Sequence, residues 1–456
     1  MKVEKRSIDF VPEMERHGKP RALFFVWFGA NANITTIAAG VLPVSLGLNL
    51  FWSALSILIG SLIGAIFMAS HSVQGPRLGI PQMIQSRAQF GVFGAIVPLL
   101  FVMLIYLGFF VSNTLLAAQA VATVSPFDNG GNIAVLGAVC FLVALFGYQL
   151  IHRLQKILSL ISIVVFGIAT ILALELPIDA GQWTPQGFNL VGFLASVSIA
   201  VTWQLSYAPY VADYSRYLPS NTSARQVFWY SYAGTVLGGS WMMLIGSVLA
   251  KGLVGFSDNV GRHLIDLLGS GSLIAVAFVL YGQIAINVFN LYGAFMSTVT
   301  MIEPFSALKV TPRVRAGFML IIFATATGLC TMAQDDFIQF FLNFIFFMSY
   351  FLIPWTAINL VDYYALRKGV YQIADIFKPS GIYGRVNWPA IGVFLATIGL
   401  EIPFMNTSMY VGPIAAALQG IDLAWAVGLL FPAGAYYGLM RWRGLVIGSE
   451  RAVNGV

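Results

Sequence analysis

Long apolar runs, separated by short clusters of charged residues, dominate the chain after residue 21. The runs are continuously apolar rather than alternating, and a membrane-spanning helix needs roughly 20 such residues. Turns rich in Gly, Pro and Asn divide the runs into twelve predicted spans. In chain order, spans 1 to 12 are residues 22–46, 50–70, 92–124, 132–151, 154–176, 189–212, 227–250, 272–302, 315–333, 337–361, 388–404 and 421–440. The pattern predicts an all-α polytopic membrane protein.

Composition supports a membrane domain and excludes several other classes. Hydrophobic residues make up 58% of the 456, and charged residues only 9%, far below the roughly 25% of a soluble domain. No basic face interleaved with aromatic residues is present, so we expect the lipid bilayer and no nucleic acid as a partner. The sequence has no phosphate-binding loop, catalytic pair or metal-ligand cluster, so we expect no enzyme activity, cofactor or metal. A secondary transporter is favoured over a channel or a transport-inactive receptor or scaffold.

The positively charged residues predict how the spans are oriented. With twelve spans both termini lie on one side of the membrane, and 22 of the 24 Lys and Arg residues then fall on that side. The two exceptions are Lys251 and Arg262. Lys and Arg concentrate in cytoplasmic loops. We therefore expect a cytoplasmic N-terminal segment (1–21), one transporter domain in the cytoplasmic membrane (22–440) and a cytoplasmic tail (441–456).

Polar residues and a proline interrupt two of the spans. Span 1 contains Asn31 and Asn33 beside a glycine and two threonines, and span 6 contains Trp203 and Gln204 shortly before Pro209. Proline removes a backbone donor and disturbs the preceding turn. Transporter sites lie where helices break near the membrane midplane, at corresponding positions of two repeated halves. The alternatives are ordinary contacts between helices for the asparagines and a simple kink for the proline.

Spans 3 and 8 carry further candidates for a binding site. Phe109 and Asn113 lie four residues apart on one face of span 3, and Asn287 and Asn290 lie three apart on span 8. Asparagine amides match the donor and acceptor edge of a heterocyclic amide, and aromatic faces stack on its ring. We predict a site for a flat polar ring such as a nucleobase, lined by Asn31, Asn33, Phe109, Asn113, Trp203, Gln204, Asn287 and Asn290.

Four stretches of the sequence are distinctive: residues 11–18 (VPEMERHG), 74–91, 212–217 (ADYSRY) and 353–364 (IPWTAINLVDYY). They resemble the nucleobase:cation symporter-1 family, in its purine/cytosine permease branch. The resemblance implies a LeuT-type fold of two inverted five-helix repeats with two extra C-terminal helices, at about 22–176, 189–366 and 388–440. It also implies cation-coupled import of cytosine, a purine or a related compound. Carriers of hydantoin, allantoin or a pyridine or pyrimidine vitamin stay open as alternatives.

The resemblance also implies roles for individual residues. Phe109 falls where the family often has a stacking tryptophan, and Asn113 falls at a polar substrate contact. Trp203 lies near the aromatic residue that covers the other face of the ring. Asn287 and Asn290 match paired asparagines of the fungal purine-cytosine permeases.

The coupling ion is predicted from span 1 and span 8. Sodium-coupled members of the family use two carbonyls of span 1, here Gly29 and Ala32, and two adjacent hydroxyl residues of span 8. This chain has Ala285 and Ile286 at the hydroxyl positions, and neither side chain carries an oxygen. We therefore predict a coupling proton. The intramembrane carboxylates lie towards the ends of spans and are Glu175, Glu303 and Glu401.

Overall fold

The computed structural model describes residues 9–146, 148–269, 272–305 and 311–444, with side chains described outside 146–160 and 312. The backbone of these residues is helical apart from turns, loops and an isolated antiparallel bridge between Asn406 and Val411. Parts of the predicted N-terminal segment and most of the predicted tail lie outside the described residues.

Each of the twelve predicted spans coincides with a helix. Within the described residues, seven helices are long and apolar enough to cross a membrane, and the bent pair of span 1 makes an eighth. In chain order the helices of the spans are Ala22–Asn31 with Ile34–Ser45, Leu50–Ser72, Ile96–Val121, Asn129–Phe146, Tyr148–Leu174, Leu190–Leu205, Ala224–Gly252, Leu273–Ile302, Pro312–Ala333, Phe337–Leu360, Trp388–Glu401 and Ala424–Trp442. Most predicted boundaries agree with these helices to within a few residues.

Two boundaries differ from the prediction where a side chain binds an N–H group of the first helical turn. Span 9 begins at Pro312 rather than residue 315, since the Thr311 hydroxyl accepts a hydrogen bond from the Val314 N–H at 3.3 Å. Span 12 begins at Ala424 rather than residue 421, and its N-cap is Leu423. The Asp422 carboxylate, one residue before the N-cap, accepts a hydrogen bond from the Ala424 N–H at 2.8 Å. Both side chains satisfy free N–H groups of the first turn.

The packing of spans 1–10 repeats after five helices. Span 1 packs on span 7 and span 2 on span 6, while spans 3 and 4 both pack on spans 8 and 9. If each span number is replaced by the number of the span five places away, the contact between spans 1 and 7 becomes the contact between spans 6 and 2. The contacts of spans 3 and 4 with spans 8 and 9 become one another in the same way. Because five is odd, the two sets of five run in opposite directions through the membrane. This is the predicted inverted repeat, and spans 11 and 12 pack outside it on span 10.

Glycines allow the equivalent helix pairs 2–6 and 1–7 to approach closely. A Cβ added to Gly60 or Gly64 in span 2 would lie 2.5 Å from a backbone carbonyl of span 6. In span 7, a Cβ at Gly234 or Gly238 would lie 2.4 Å and 2.8 Å from carbonyls of span 1. Small residues let membrane helices pack backbone against backbone, so spans 1, 2, 6 and 7 form one tight group.

A short helix between spans 2 and 3, Gln82–Phe90, is buried along its whole length. The carboxylate of Asp213, which follows span 6, accepts a hydrogen bond from the first N–H of this helix at 2.8 Å. The Trp355 indole of span 10 donates to Ser86 of the helix at 3.0 Å. The helix therefore joins span 10 to the end of span 6, on the membrane side that holds the N-terminal segment.

Candidate functional site

The predicted break in span 1 is confirmed. The helices Ala22–Asn31 and Ile34–Ser45 meet at 60°, and Asn33 between them has an extended backbone. The Asn33 side chain accepts a hydrogen bond from the Thr36 N–H at 3.0 Å and donates one to the Ala30 carbonyl at 2.7 Å. Asn33 is thus the N-cap of the second helix, and its amide holds both sides of the break together.

Asn31 connects the break to spans 6 and 7. It is fully buried, and its Oδ1 accepts from the Trp203 indole N–H at 2.9 Å and the Tyr207 hydroxyl at 3.1 Å. Its Nδ2 donates to the Trp27 carbonyl at 2.8 Å and the Thr235 hydroxyl at 3.2 Å. An asparagine amide offers two donors and two acceptor positions. All four positions of Asn31 are therefore occupied by the protein itself.

Span 6 is interrupted as predicted. Its helix ends at Leu205, and the chain passes through a 3₁₀ turn at Ala208–Tyr210, which contains Pro209, before a short helix begins at Val211. Gln204, in the last turn before the interruption, is fully buried. Its carbonyl oxygen accepts a hydrogen bond from the Thr235 hydroxyl, and its Nε2 donates to the backbone carbonyl of the same threonine at 3.4 Å. Span 7 therefore holds the ends of both broken helices.

A second polar network joins spans 1, 3 and 8. The Asn113 amide of span 3 donates to the Asn287 carbonyl oxygen of span 8 at 3.1 Å, and the Thr35 hydroxyl of span 1 donates to the Asn113 carbonyl oxygen. Gln283, one turn before Asn287, donates to Thr35 at 3.1 Å. Asn290 donates to the Asn287 carbonyl oxygen at 3.3 Å. The predicted asparagines of spans 3 and 8 therefore lie together.

The two asparagines of span 8 differ in their remaining hydrogen-bonding capacity. The Nδ2 of Asn287 donates to the Phe110 carbonyl at 3.2 Å and to the Thr114 hydroxyl at 2.9 Å, while its oxygen accepts twice. Asn290 is 8% exposed, and its bond to Asn287 is the single one recorded for its side chain among the described residues. Asn290 thus retains one donor and its acceptor oxygen for another molecule.

An aromatic cluster of Phe109, Trp203, Phe341 and Phe344 adjoins both polar networks, since Trp203 donates to Asn31 and Phe109 lies one turn before Asn113. Phe109 meets Trp203 edge to face at 5.9 Å and Phe344 edge to face at 5.2 Å. The Trp203 ring is 6.3 Å from Phe341. Trp203 is buried, whereas Phe109 is half-buried. Spans 3, 6 and 10 each supply part of this cluster.

The predicted cation site can draw on backbone carbonyls of span 1, but span 8 offers it no side-chain oxygen at residues 285 and 286. The Gly29 carbonyl accepts a hydrogen bond from the Ala32 N–H at 3.2 Å. Ala285 of span 8 is buried and Ile286 is half-buried, and both side chains are hydrocarbon. The cation site at Gly29 and Ala32 stays a prediction.

The sequence reasoning missed several residues of these networks. Gln283 forms a stripe with Asn287 and Asn290, at spacings of four and three residues on one face of span 8, so the pattern could have revealed it. Thr235 carries no comparable signal, because a lone threonine in an apolar helix usually bonds within its own helix. Its contact with Asn31 emerges only when spans 1 and 7 pack together.

Comparison with known proteins identifies the family. A family model described as a permease for cytosine/purines, uracil, thiamine and allantoin matches residues 10–428. The chain belongs to this permease family. YxlA of Bacillus subtilis (strain 168) is 57% identical over 97% of each chain. The purine-cytosine permease FCY2 of Saccharomyces cerevisiae is 26% identical, with 88% of this chain and 79% of FCY2 aligned.

Solved structures show the same fold. Mhp1, a nucleobase-cation-symport-1 family transporter in a closed conformation with bromovinylhydantoin bound, matches with a TM-score of 0.75 at 18% identity. The match covers 99% of this chain and 98% of Mhp1. The predicted family and fold class are confirmed. The chain is therefore an integral membrane permease rather than an enzyme.

Proposed function

We propose that this permease is a secondary active symporter that imports a cytosine- or purine-like heterocycle by alternating access, with a proton as the coupling ion. The observation that supports this best is that Phe109 and Asn290 lie at the same depth on two helices that pack together. Spans 3 and 8 run in opposite directions, and they touch at Asn113 with Asn287 and at Tyr106 with Gly293. Phe109 and Asn290 lie between these two contacts and therefore at the same depth.

The arrangement suits a ring that stacks on an aromatic side chain and forms hydrogen bonds along its edge at the same time. A heterocycle on the accessible face of Phe109 would present its edge to the free donor and acceptor of Asn290. The Trp203 N–H is already donated to Asn31, so Trp203 offers an aromatic surface and no hydrogen bond. Phe109 and Trp203 are nearly perpendicular, at 84°, so the ring would stack on one of them and meet the edge of the other.

The two interrupted helices supply the means for alternating access. Spans 1 and 6 occupy equivalent positions of the two repeats, and both break next to the aromatic cluster. In inverted-repeat transporters, one repeat-derived bundle rocks against the other around a site at such breaks. The tight group of spans 1, 2, 6 and 7 is a suitable rigid unit for this movement.

The coupling ion follows from the oxygens available. A dehydrated sodium ion needs several oxygen ligands, and the side chains of Ala285 and Ile286 supply none. A proton needs no such set of ligands. We therefore expect uptake to follow an inward proton gradient and to continue when potassium or choline replaces sodium.

Uptake into proteoliposomes tests the function. Purified protein should accumulate radiolabelled cytosine or adenine saturably when the lumen is alkaline relative to the medium, and a protonophore should abolish the accumulation. Unlabelled hydantoin, allantoin and pyridoxine serve as competitors. Stronger competition by one of these compounds than by any nucleobase would assign the site to that class. Saturable binding without accumulation would contradict transport, and accumulation that requires a sodium gradient would contradict proton coupling.

Localisation in the cytoplasmic membrane with both termini inside belongs to the same proposal. The charge asymmetry of the loops supports it. Met14 and Val254 are 98% and 99% exposed on predicted opposite sides, while Cys140 and Cys330 are buried and should react little. In intact cells, a membrane-impermeant maleimide should label Val254→Cys and leave Met14→Cys unlabelled. The reverse pattern would invert the topology.

A further inference from the structure

Glu401, the last helical residue of span 11, is a carboxyl group in an unusual environment. It is fully buried, and neither of its carboxyl oxygens has a hydrogen-bond partner among the described residues. An ionised carboxylate without hydrogen bonds or a counter-charge is very unfavourable in an apolar interior. The substrate site proposed above does not involve this residue.

The carboxyl group lies between the last three spans. A Cβ added to Gly428 of span 12 would lie 2.0 Å from Glu401 Oε1 and 3.3 Å from the Pro354 side chain of span 10. The missing side chain at Gly428 therefore leaves the space that the carboxyl group occupies. Spans 10, 11 and 12 meet at this point.

Span 10 offers an acceptor in the same region. Pro354 lies inside the helix Phe337–Leu360 and has no N–H, so the carbonyl of Tyr350, four residues earlier, lacks its usual helical donor. An ionised Glu401 carboxylate has no hydrogen-bond donor, so it could not pair with this carbonyl, which is itself an acceptor. A neutral carboxylic acid brings one O–H donor, and the Tyr350 carbonyl is the acceptor that Pro354 leaves without its helical N–H.

The acidic neighbour of Glu401 also favours the neutral form. Asp422, just before span 12, is close enough to Glu401 and Tyr350 for its negative charge to act on both. Its carboxylate accepts from the Tyr350 hydroxyl at 2.7 Å, the Asn406 N–H at 2.9 Å and the Ala424 N–H at 2.8 Å. Three donors stabilise the negative charge at Asp422, and a second charge at Glu401 would be repelled by the first.

The other titratable groups of the packed helices lie at their opposite ends. Span 11 itself has no further titratable residue. Asp362, just after span 10, accepts from Tyr436 of span 12 at 2.9 Å and from Gln89 of the helix Gln82–Phe90 at 3.0 Å, and Arg87 of that helix pairs with Glu303 at 2.9 Å. Asp362 lies near the start of span 11, since Asn387 also bonds the Gln89 carbonyl. These other groups are Asp362, Tyr436, Tyr437, Arg441 and Arg87.

We propose that Glu401 is a proton-binding site that is occupied in this conformation, and that the neutral acid holds spans 10, 11 and 12 together. Span 10 also supplies Phe341 and Phe344 to the aromatic cluster. The same helix therefore contacts both the bound proton and the proposed substrate site. The proposal depends neither on the identity of the substrate nor on the coupling ion.

Stability as a function of pH tests the proposal in the purified full-length protein. Above about pH 4.3 the unfolded chain loses this proton while the folded protein keeps it. The ratio of folded to unfolded protein should then fall about tenfold per pH unit, until Glu401 itself ionises. Glu401→Gln mimics the neutral acid and should remove this dependence without loss of stability at neutral pH. Glu175→Gln, at an exposed position, is the matched control and should retain it.

Infrared spectroscopy provides a second measurement. Alkaline titration of the wild type should remove a carbonyl band of a protonated, buried carboxylic acid, and Glu401→Gln should lack that band at every pH. Three outcomes would overturn the proposal. They are the absence of this band in the wild type, a pH dependence unchanged in Glu401→Gln, and a sodium-dependent stabilisation that Glu401→Gln abolishes, since the last would make the ligand a metal cation.

Discussion

Replacing Asn31 by alanine separates a structural role of this residue from contact with the substrate. The substitution removes the acceptor for the Trp203 N–H and for the Tyr207 hydroxyl, both buried. A buried polar group left unpaired costs about 1–3 kcal/mol. Tyr207 keeps a weak alternative in the Ala30 carbonyl at 3.5 Å, and Thr235 keeps its bond to Gln204. We therefore expect Asn31→Ala to lower the free energy of unfolding by about 2–4 kcal/mol.

The assay compares unfolding of purified variants with and without substrate. If Asn31 only holds the helices together, a saturating ligand should stabilise Asn31→Ala by about the same increment as the wild type, because that increment depends only on affinity and concentration. Asn33→Ala is the control, since it loses a helix cap worth about 1 kcal/mol. In a double-mutant cycle, Asn31→Ala and Trp203→Phe should couple by about 0.5–3 kcal/mol, because they remove the two ends of one hydrogen bond.

The opposite pattern would refute this reasoning. If Asn31→Ala unfolds like the wild type but loses most of the stabilisation by ligand, then the Asn31 amide binds the substrate. The four hydrogen bonds of Asn31 would in that case have to rearrange during binding.

The remaining predictions concern affinity and scaffold. Asn290→Ala should weaken substrate binding by about 1–3 kcal/mol with little change in stability, whereas Asn287→Ala should mainly destabilise the protein; equal stability losses would argue against the distinction. Phe109→Ala should weaken binding measured by ligand-induced stabilisation, and unchanged affinity would move the site elsewhere. Asp362→Asn should cost about 3–5 kcal/mol in unfolding, because Arg367 is buried and bonds Asp362 at 3.0 Å. Asp375→Asn, which breaks a partly exposed pair with Lys378 at 3.9 Å, should cost less than about 1 kcal/mol.

The helices and their interruptions could be predicted because membrane helices leave a strong local signal. A run of some 20 apolar residues has few other solutions in a bilayer. The break in span 6 was visible from Pro209, and the break in span 1 from asparagines that compete for backbone hydrogen bonds. The start of span 12 was harder to predict, because Asp422 looks like an end-of-span charge and is in fact buried, with its carboxylate bonded to the Ala424 N–H.

The roles of the polar residues could not be predicted, because they depend on which partners fold against them. Asn31 and Asn290 look alike in sequence, as single asparagines in apolar helices. In the structure, the first has all four hydrogen-bonding positions occupied and the second has one. Thr235 of span 7 occupies one of the four positions of Asn31, although it is more than 200 residues away in the sequence. Only tertiary packing supplies this information.

Thr35 joins the two groups of helices that alternating access would move. It lies in the second helix of span 1, within the tight group, and its hydroxyl donates to Asn113 of span 3 while it accepts from Gln283 of span 8. The aromatic cluster that also crosses this boundary can slide, because ring contacts tolerate changes of angle and offset. Hydrogen bonds in an apolar interior do not, since each broken bond leaves an unpaired group. Movement of the two groups must therefore carry Thr35, Asn113 and Gln283 together or offer them new partners, and the free edge of a heterocycle can supply such partners.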